Sequence, residues 1–104
     1  MVTTLVGSTT AGSANGTGSA ASFFQPWGIT TDGTNLYVAD AFNNEIRKIV
    51  IATGVVTTLA GSTTSGSANG TGSTASFYSP MGITTDGTNL YVVDTGNNEI
   101  RKIQ

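Results

Sequence analysis

Short apolar runs separated by polar turns recur along the chain. Four runs joined by tight turns form the first set: Gly28–Thr31, Leu36–Asp40, Glu45–Val50 and Val55–Ala60. β-Branched and aromatic residues are frequent in these runs, and Asp-Gly and Asn-Asn pairs mark the turns between them. The pattern predicts a sheet of four short antiparallel strands.

The second of these runs, Leu36–Asp40, carries apolar residues on both faces of the pleat. A sheet of this kind must be covered on both sides. A radial stack of four-stranded sheets around a channel supplies that cover, because each sheet then has one neighbour in front and another behind. The predicted fold class is therefore all-β, a β-propeller built from four-stranded antiparallel blades.

The sequence repeats itself after 54 residues. Residues 2–50 align with residues 56–104, and 39 of the 49 aligned pairs are identical. A period of this length indicates a repeat architecture, here with two blades in the chain. Residues 1–55 hold blade one, preceded by an outer strand at 2–6, and residues 56–104 hold the outer strand of blade one followed by three strands of blade two. Near-identity between neighbours is typical of a recent duplication or of a designed, consensus-like chain.

The first predicted strand is out of phase with its blade. It consists of Val2, Thr3, Thr4, Leu5 and Val6, which match the fourth strand of a unit but precede the first three. We expect a neighbouring chain to lend this strand to blade two, so that copies of the chain close into a ring as a homo-oligomer. A trimer has six blades and a tetramer eight, and the bulky Trp27 and Met81 beside the inner strands favour the tetramer because they widen the wedge between blades.

One set of residues recurs in the same order in both units. In and around the second unit it reads Pro80-x-Gly82-Ile83, Asn89-Leu90-Tyr91-Val92-x-Asp94-x-x-Asn97-x-x-Ile100-Arg101-Lys102-Ile103 and Val56-Thr57-Thr58-Leu59-Ala60-Gly61. This set resembles NHL repeats of the Gly/Ser-rich type that is found in bacterial surface and secreted proteins. The resemblance implies propeller blades with Gly28–Thr31 and Gly82–Thr85 innermost, six blades as the common number, and pairing of Arg47 and Arg101 with a carboxylate or with blade carbonyls.

The chain has no Cys and no His. It therefore lacks the commonest zinc ligands and the usual general base near neutral pH, and we predict no metal and no cofactor. Four basic residues and a net charge of -2 cannot track a phosphate backbone, so nucleic acid is not an expected partner. No apolar run approaches the roughly 20 residues of a membrane span, and no export signal is predicted, which leaves the compartment open.

One nucleotide-binding motif has a formal match. Gly16-x-Gly18-x-x-Ala21 fits the G-x-G-x-x-A pattern, and Asp40 lies at about the required distance downstream. That motif needs a strand before it and a helix after it. Since no helical pattern follows, we interpret the segment as a Gly-rich loop between blades.

Every charged group of the first unit recurs in the second. The set comprises Asp32, Asp40, Glu45, Arg47 and Lys48. A catalytic site is ordinarily unique, so the duplication favours structural roles, with Asp32 stabilising a turn and Asp40 capping the next one. The chain is predicted not to be an enzyme.

Ten aligned positions differ between the units, and nine of them fall on or near one face of the predicted disc. The candidate residues of that face are Phe24, Gln25, Trp27 and Phe42 in the first unit and Tyr78 and Met81 in the second. Exposed aromatic side chains of this kind can bind a peptide, a glycan or a small molecule. Alternatively, the differences are paired exchanges of larger for smaller side chains, such as Trp for Met and Ala for Val, which keep the contact between blades fully packed.

Two functions follow from these patterns. The first is structural: a self-assembling, non-enzymatic propeller scaffold. The alternative is a binding module that uses the aromatic face. A third function, a metal-dependent lyase like those found among NHL propellers, conflicts with the absence of His, because such sites use His ligands.

Overall fold

The computed structural model describes all 104 residues, which form eight strands and four short 3₁₀ turns. The strands are β1 (Gly16–Thr17), β2 (Pro26–Thr31), β3 (Asn35–Asp40), β4 (Glu45–Val50), β5 (Val55–Gly61), β6 (Pro80–Thr85), β7 (Leu90–Asp94) and β8 (Glu99–Ile103). The 3₁₀ turns are Gly18–Ala20, Ala41–Asn43, Gly72–Thr74 and Thr95–Asn97. The all-β prediction is confirmed.

Strands β2 to β5 form blade one, an antiparallel sheet in chain order, and the short β1 pairs with the outer edge of β5. A carboxylate stabilises the turn between β2 and β3. Asp32 Oδ1 accepts hydrogen bonds from the backbone N–H groups of Thr34 and Asn35 at 2.9 and 2.7 Å. Asp86 makes the same bonds in the second unit, so the predicted role of these carboxylates in the turns is confirmed.

Strands β6 to β8 form the sheet of blade two, which has three strands in this chain. Their pairing repeats that of β2 to β4, including the bulge at Met81 in the inner strand. Val2–Val6 lies in neither sheet, and most of it is exposed. The N-terminal segment therefore does not complete blade two of its own chain.

The largest apolar core of the chain lies where blade one faces blade two. It contains Ala39, Ile46 and Ala60 from one blade and Ala75, Phe77 and Val92 from the other. The inner strands approach so closely that a Cβ atom on Gly28 would overlap the carbonyl oxygen of Met81. Glycine at this position is what lets the two backbones meet.

A buried ion pair fixes the Gly-rich loop of each blade to its sheet. Arg47 Nη1 lies 2.8 Å from Asp40 Oδ2, and both side chains are inaccessible to solvent. The guanidinium also donates to the carbonyls of Ser22 and Ala14 at 2.7 and 2.9 Å. Arg101 makes the matching contacts in blade two. The predicted pairing of these arginines with a carboxylate and with carbonyls is confirmed, and the long loop takes its shape by wrapping around a guanidinium.

The predicted role of Asp40 as a cap of the next turn is wrong. Its side chain accepts no hydrogen bond from the backbone of Ala41–Asn43. The carboxylate instead accepts from the Phe24 N–H, from Asn43 Nδ2 and from Arg47, each at 2.8 Å. Because a buried charge needs a counter-charge and several hydrogen bonds, the arginine and the loop determine where this carboxylate points.

Replacing the buried arginine should destabilise the chain strongly. Arg47→Met leaves Asp40 buried without its counter-charge, a change that typically costs about 3–5 kcal/mol. The neighbouring variant Lys48→Met removes a charge that forms no ion pair and should change the free energy of unfolding by less than about 0.5 kcal/mol. Urea unfolding followed by Trp27 fluorescence measures both, and equal losses would contradict this role for Arg47.

Candidate binding and assembly surfaces

Two of the predicted aromatic residues meet on one side of blade one. The rings of Phe24 and Phe42 are 5.2 Å apart in an edge-to-face arrangement, and both side chains are exposed. In blade two the counterparts are Tyr78 and Gly96, and a Cβ on Gly96 would lie only 2.5 Å from Tyr78 Cγ. The two differences between the units are therefore coupled, since the tyrosine ring lies over the glycine where blade one has a pair of rings.

The remaining candidates take other positions. Gln25 and its counterpart Ser79 have left-handed backbone conformations, with φ of 54° and 50°. Trp27 is 63% exposed on the open face of blade one, and Met81 is half-buried at the contact with blade one. The six candidate residues thus divide between an aromatic pair, a lone tyrosine, one residue on each of two blade faces, and Gln25 at a left-handed position before the inner strand.

Blade one has an apolar groove of about 290 Å³ on the face that points away from blade two. Its apolar lining includes Val6, Phe23, Trp27, Ile29, Val38 and Ile49. Several of these side chains have repeat counterparts in blade two that pack against blade one: Phe77, Ile83, Val92 and Ile103. The groove is therefore the repeat equivalent of a surface that, on blade two, receives another blade.

Blade two has a matching open face on its far side. Ile100 is 70% exposed and Val93 is 46% exposed. Their counterparts in blade one, Ile46 and Ala39, are completely buried against blade two. Identical positions in the repeat are thus covered in one blade and open in the other.

The carboxylate of Glu45, the first residue of β4, is buried. It pairs in register with Gly61, and its Oε1 atom has no hydrogen-bond partner. Burial raises the pKa of Glu45, an effect that Arg47 partly offsets and Asp40 reinforces. Asp32 is the opposite case, because the N–H groups of its turn lower the pKa to about 2.

No three His, Cys, Asp or Glu side chains are grouped closely enough to hold a metal ion. The carboxylates of the turns and of the ion pairs are engaged by backbone N–H groups and by arginines. None of the helical segments is long and apolar enough to cross a membrane.

Two similar antiparallel sheets packed face to face match neighbouring blades of a β-propeller. Solved structures agree with this class. A protein of unknown function from Bacteroides thetaiotaomicron is 33% identical and superposes with a TM-score of 0.88 over 94% of this chain and 26% of its own. An auxiliary nutrient binding protein from the same organism is 26% identical, with a TM-score of 0.83 over 96% of this chain and 28% of its own.

Curated relatives narrow the class to one family. The bovine and human proteins named NHL repeat-containing protein 2 are 36% and 35% identical to the chain over 95 residues. The match covers 86% of this chain and 13% of theirs. No protein-family model matches the chain. The two repeats of the chain are therefore NHL-type propeller blades, as the motifs predicted.

Replacing Glu45 should make the chain more stable at neutral pH. Its pKa is higher in the folded chain than in the unfolded chain, so the ionised form weakens the fold above that pKa and the effect disappears as the pH falls. Glu45→Gln should therefore raise the free energy of unfolding at pH 7 and lose that advantage as the pH falls towards the ordinary range of a glutamate carboxyl.

The control variant Asp32→Asn should have the opposite sign. The lowered pKa of Asp32 means that its charge stabilises the fold at neutral pH, and that this stabilisation disappears as the pH falls towards about 2. Thermal unfolding between pH 2 and pH 8 compares the two variants. The same pH dependence in both would contradict the assignment.

Proposed function

We propose that the chain is a structural assembly module, whose two open faces bind each other in successive copies so that a propeller ring forms. The observation that carries the proposal is the mismatch in burial between repeat counterparts. Ile100 is 70% exposed, whereas Ile46 at the same place in blade one is fully buried. A second copy can pack its blade one on the open face of blade two, in the same way that blade two packs on blade one inside the chain. The groove around Ile29 and Val38 of the second copy would then cover Ile100.

The differences between the units also favour this assembly. Three of them put the larger apolar side chain on an open face: Val6 for Ala60, Trp27 for Met81 and Val93 for Ala39. A surface that faces water gains nothing from larger apolar groups, and large exposed apolar patches on soluble proteins mark interaction sites. These side chains would fill a contact between copies more fully than their counterparts fill the contact inside the chain.

The proposed assembly has head-to-tail geometry, because the two faces of a chain differ. Contacts of this kind close into a ring when the rotation between copies divides a full turn. Three copies would give six blades and four would give eight, within the usual range for propellers. The module is proposed to be non-enzymatic, since its charged groups are duplicated and its aspartates and arginines are engaged in turns and ion pairs.

Native mass tests the proposal. At 50 µM the chain should sediment as one discrete species of three or four times the chain mass of 10.5 kDa. Ile100→Lys places a charge in the proposed contact and should raise the dissociation constant at least tenfold. The matched variant Ile51→Lys changes an exposed isoleucine in the turn between β4 and β5 and should leave the mass unchanged. A monomeric parent chain, or identical behaviour of the two variants, would contradict the proposal.

A second function, ligand binding at the aromatic pair, is favoured by the exposed contact between Phe24 and Phe42. The relative named as a nutrient binding protein makes this candidate specific enough to test. Flat aromatic surfaces bind sugar rings and apolar side chains by stacking. A ligand on the pair would lie on the side of the blade where the Gly-rich loop and the 3₁₀ turn Ala41–Asn43 meet.

Binding can be followed through Trp27, the single tryptophan of the chain. Linear oligosaccharides and short aromatic peptides should change its fluorescence saturably at millimolar concentration or below. Phe42→Gly gives blade one the residue found in blade two and should weaken binding at least tenfold, whereas Ile51→Lys should not. Absence of any saturable change, or equal binding by Phe42→Gly, would remove this function.

A further inference from the structure

We infer that Val2–Gly7 of one copy is the fourth strand of blade two in another copy, an inference that rests on the proposed self-assembly. Blade two has a groove of about 480 Å³ between β8 and the loop at Asn69–Gly72. In blade one the corresponding space is occupied by β5, which pairs with β4 on one side and with β1 on the other. The groove has the shape and the hydrogen-bonding edge that an outer strand requires.

The N-terminal segment carries the sequence that fills this place in blade one. Val2–Gly7 and Val56–Gly61 differ only at the fifth residue, where one has Val and the other has Ala. Their last glycines have nearly the same left-handed conformation, with φ of 89° at Gly7 and 86° at Gly61. The bend that leads from an outer strand into the next blade is therefore already formed after the exposed segment.

Both glycines also lie against the same side chain of the following blade. A Cβ atom on Gly7 would be 3.3 Å from the ring of Phe23, and one on Gly61 would be 3.0 Å from the ring of Phe77. The N-terminal segment therefore leads into blade one in the same way that β5 leads into blade two. A copy whose blade one covers the open face of blade two would bring its own Val2–Val6 to the groove.

The repeat fixes the register of the pairing. In blade one Lys48 lies opposite Thr57. The repeat counterpart of Lys48 is Lys102, and that of Thr57 is Thr3. The equivalent pair between copies is therefore Lys102 of the accepting copy and Thr3 of the donating copy. Successive residues of a strand point to opposite faces, so Thr4 would lie on the other side of the sheet from Thr3.

A side-chain clamp joins the same two copies. Asn44 accepts a hydrogen bond from the Ser79 N–H at 2.9 Å and donates one to a carbonyl in the loop after β5 at 3.2 Å, so it links blade one to blade two. Its counterpart Asn98 has the same left-handed conformation, with φ of 58° against 57°, and its side chain is exposed. The repeat places Asn98 opposite the Gln25 N–H of the copy that donates the strand.

A second copy is the occupant that these observations favour, because one molecule supplies every contact. The strand, the face and the clamp partner all lie within its N-terminal unit, in the order and spacing that β5 and blade two use inside the chain. Backbone pairing along an exposed edge gives affinity, and the matching side chains give register.

Disulfide trapping tests the register. The chain has no cysteine, so single substitutions introduce unique thiols. A mixture of Thr3→Cys and Lys102→Cys chains, oxidised with glutathione disulfide, should form the mixed dimer at least tenfold faster than a mixture of Thr4→Cys and Lys102→Cys. In the control pair the two thiols point to opposite faces of the sheet. Equal rates would overturn the inference.

The double variant Thr3→Cys/Lys102→Cys shows whether the strand at the edge of blade two comes from a second copy or from the same chain. Disulfides between chains support donation to a second copy, whereas a disulfide within one chain would show that the segment folds back onto its own blade two and would overturn the inference. If the parent chain forms discrete oligomers but the cysteine pairs show no preference, strand donation fails while the proposed assembly stands. A parent chain that stays monomeric contradicts both.

Asn98→Gly tests the clamp independently. Glycine keeps the left-handed backbone and removes only the side chain. The variant should weaken association at least tenfold without changing the far-ultraviolet circular dichroism of the blades. Association equal to that of the parent chain would overturn the clamp.

Discussion

Packing of one blade face on another is the interaction on which the rest of this structure depends. The strands are apolar on both sides, so a single sheet cannot satisfy its own side chains. Where blade one meets blade two, Ile46 and Ala39 are fully buried. Where blade two meets nothing, Ile100 and Val93 are exposed, although the sequence around them is nearly the same. Burial in this chain is therefore decided by neighbouring sheets.

Much of the fold could be predicted because local pattern and repeat agree. Strand β4 has the predicted bounds, Glu45–Val50, and β5 extends the predicted run by one residue. The inner strand begins at Pro26, two residues before the prediction, because a bulge at Trp27 lets Pro26 pair with Asp40. A bulge of this kind leaves no periodic signal in the sequence. Ring closure, strand donation and the origin of the near-identical repeats remain predictions.

The candidate site was less predictable, since its features depend on contacts between residues far apart in sequence. Glu45 and Glu99 occupy the same place in the repeat, yet one is buried and the other is exposed. The guanidinium of Arg47 is enclosed by a loop that lies 25 to 33 residues earlier, which no local pattern encodes. The same holds for the aromatic pair, where the contact of Phe24 with Phe42 becomes visible only once the two turns meet on one side of the blade.

Small-angle X-ray scattering measures most directly whether these open faces are covered in solution. One chain alone has a Cα radius of gyration of 12.7 Å and a longest dimension of 37 Å. At 100 µM we expect a particle clearly larger than these values, with the distance distribution of a closed disc that has a central channel. A radius of gyration of about 13 Å, unchanged on further concentration, would mean that the exposed faces persist without a partner and would contradict the central claim.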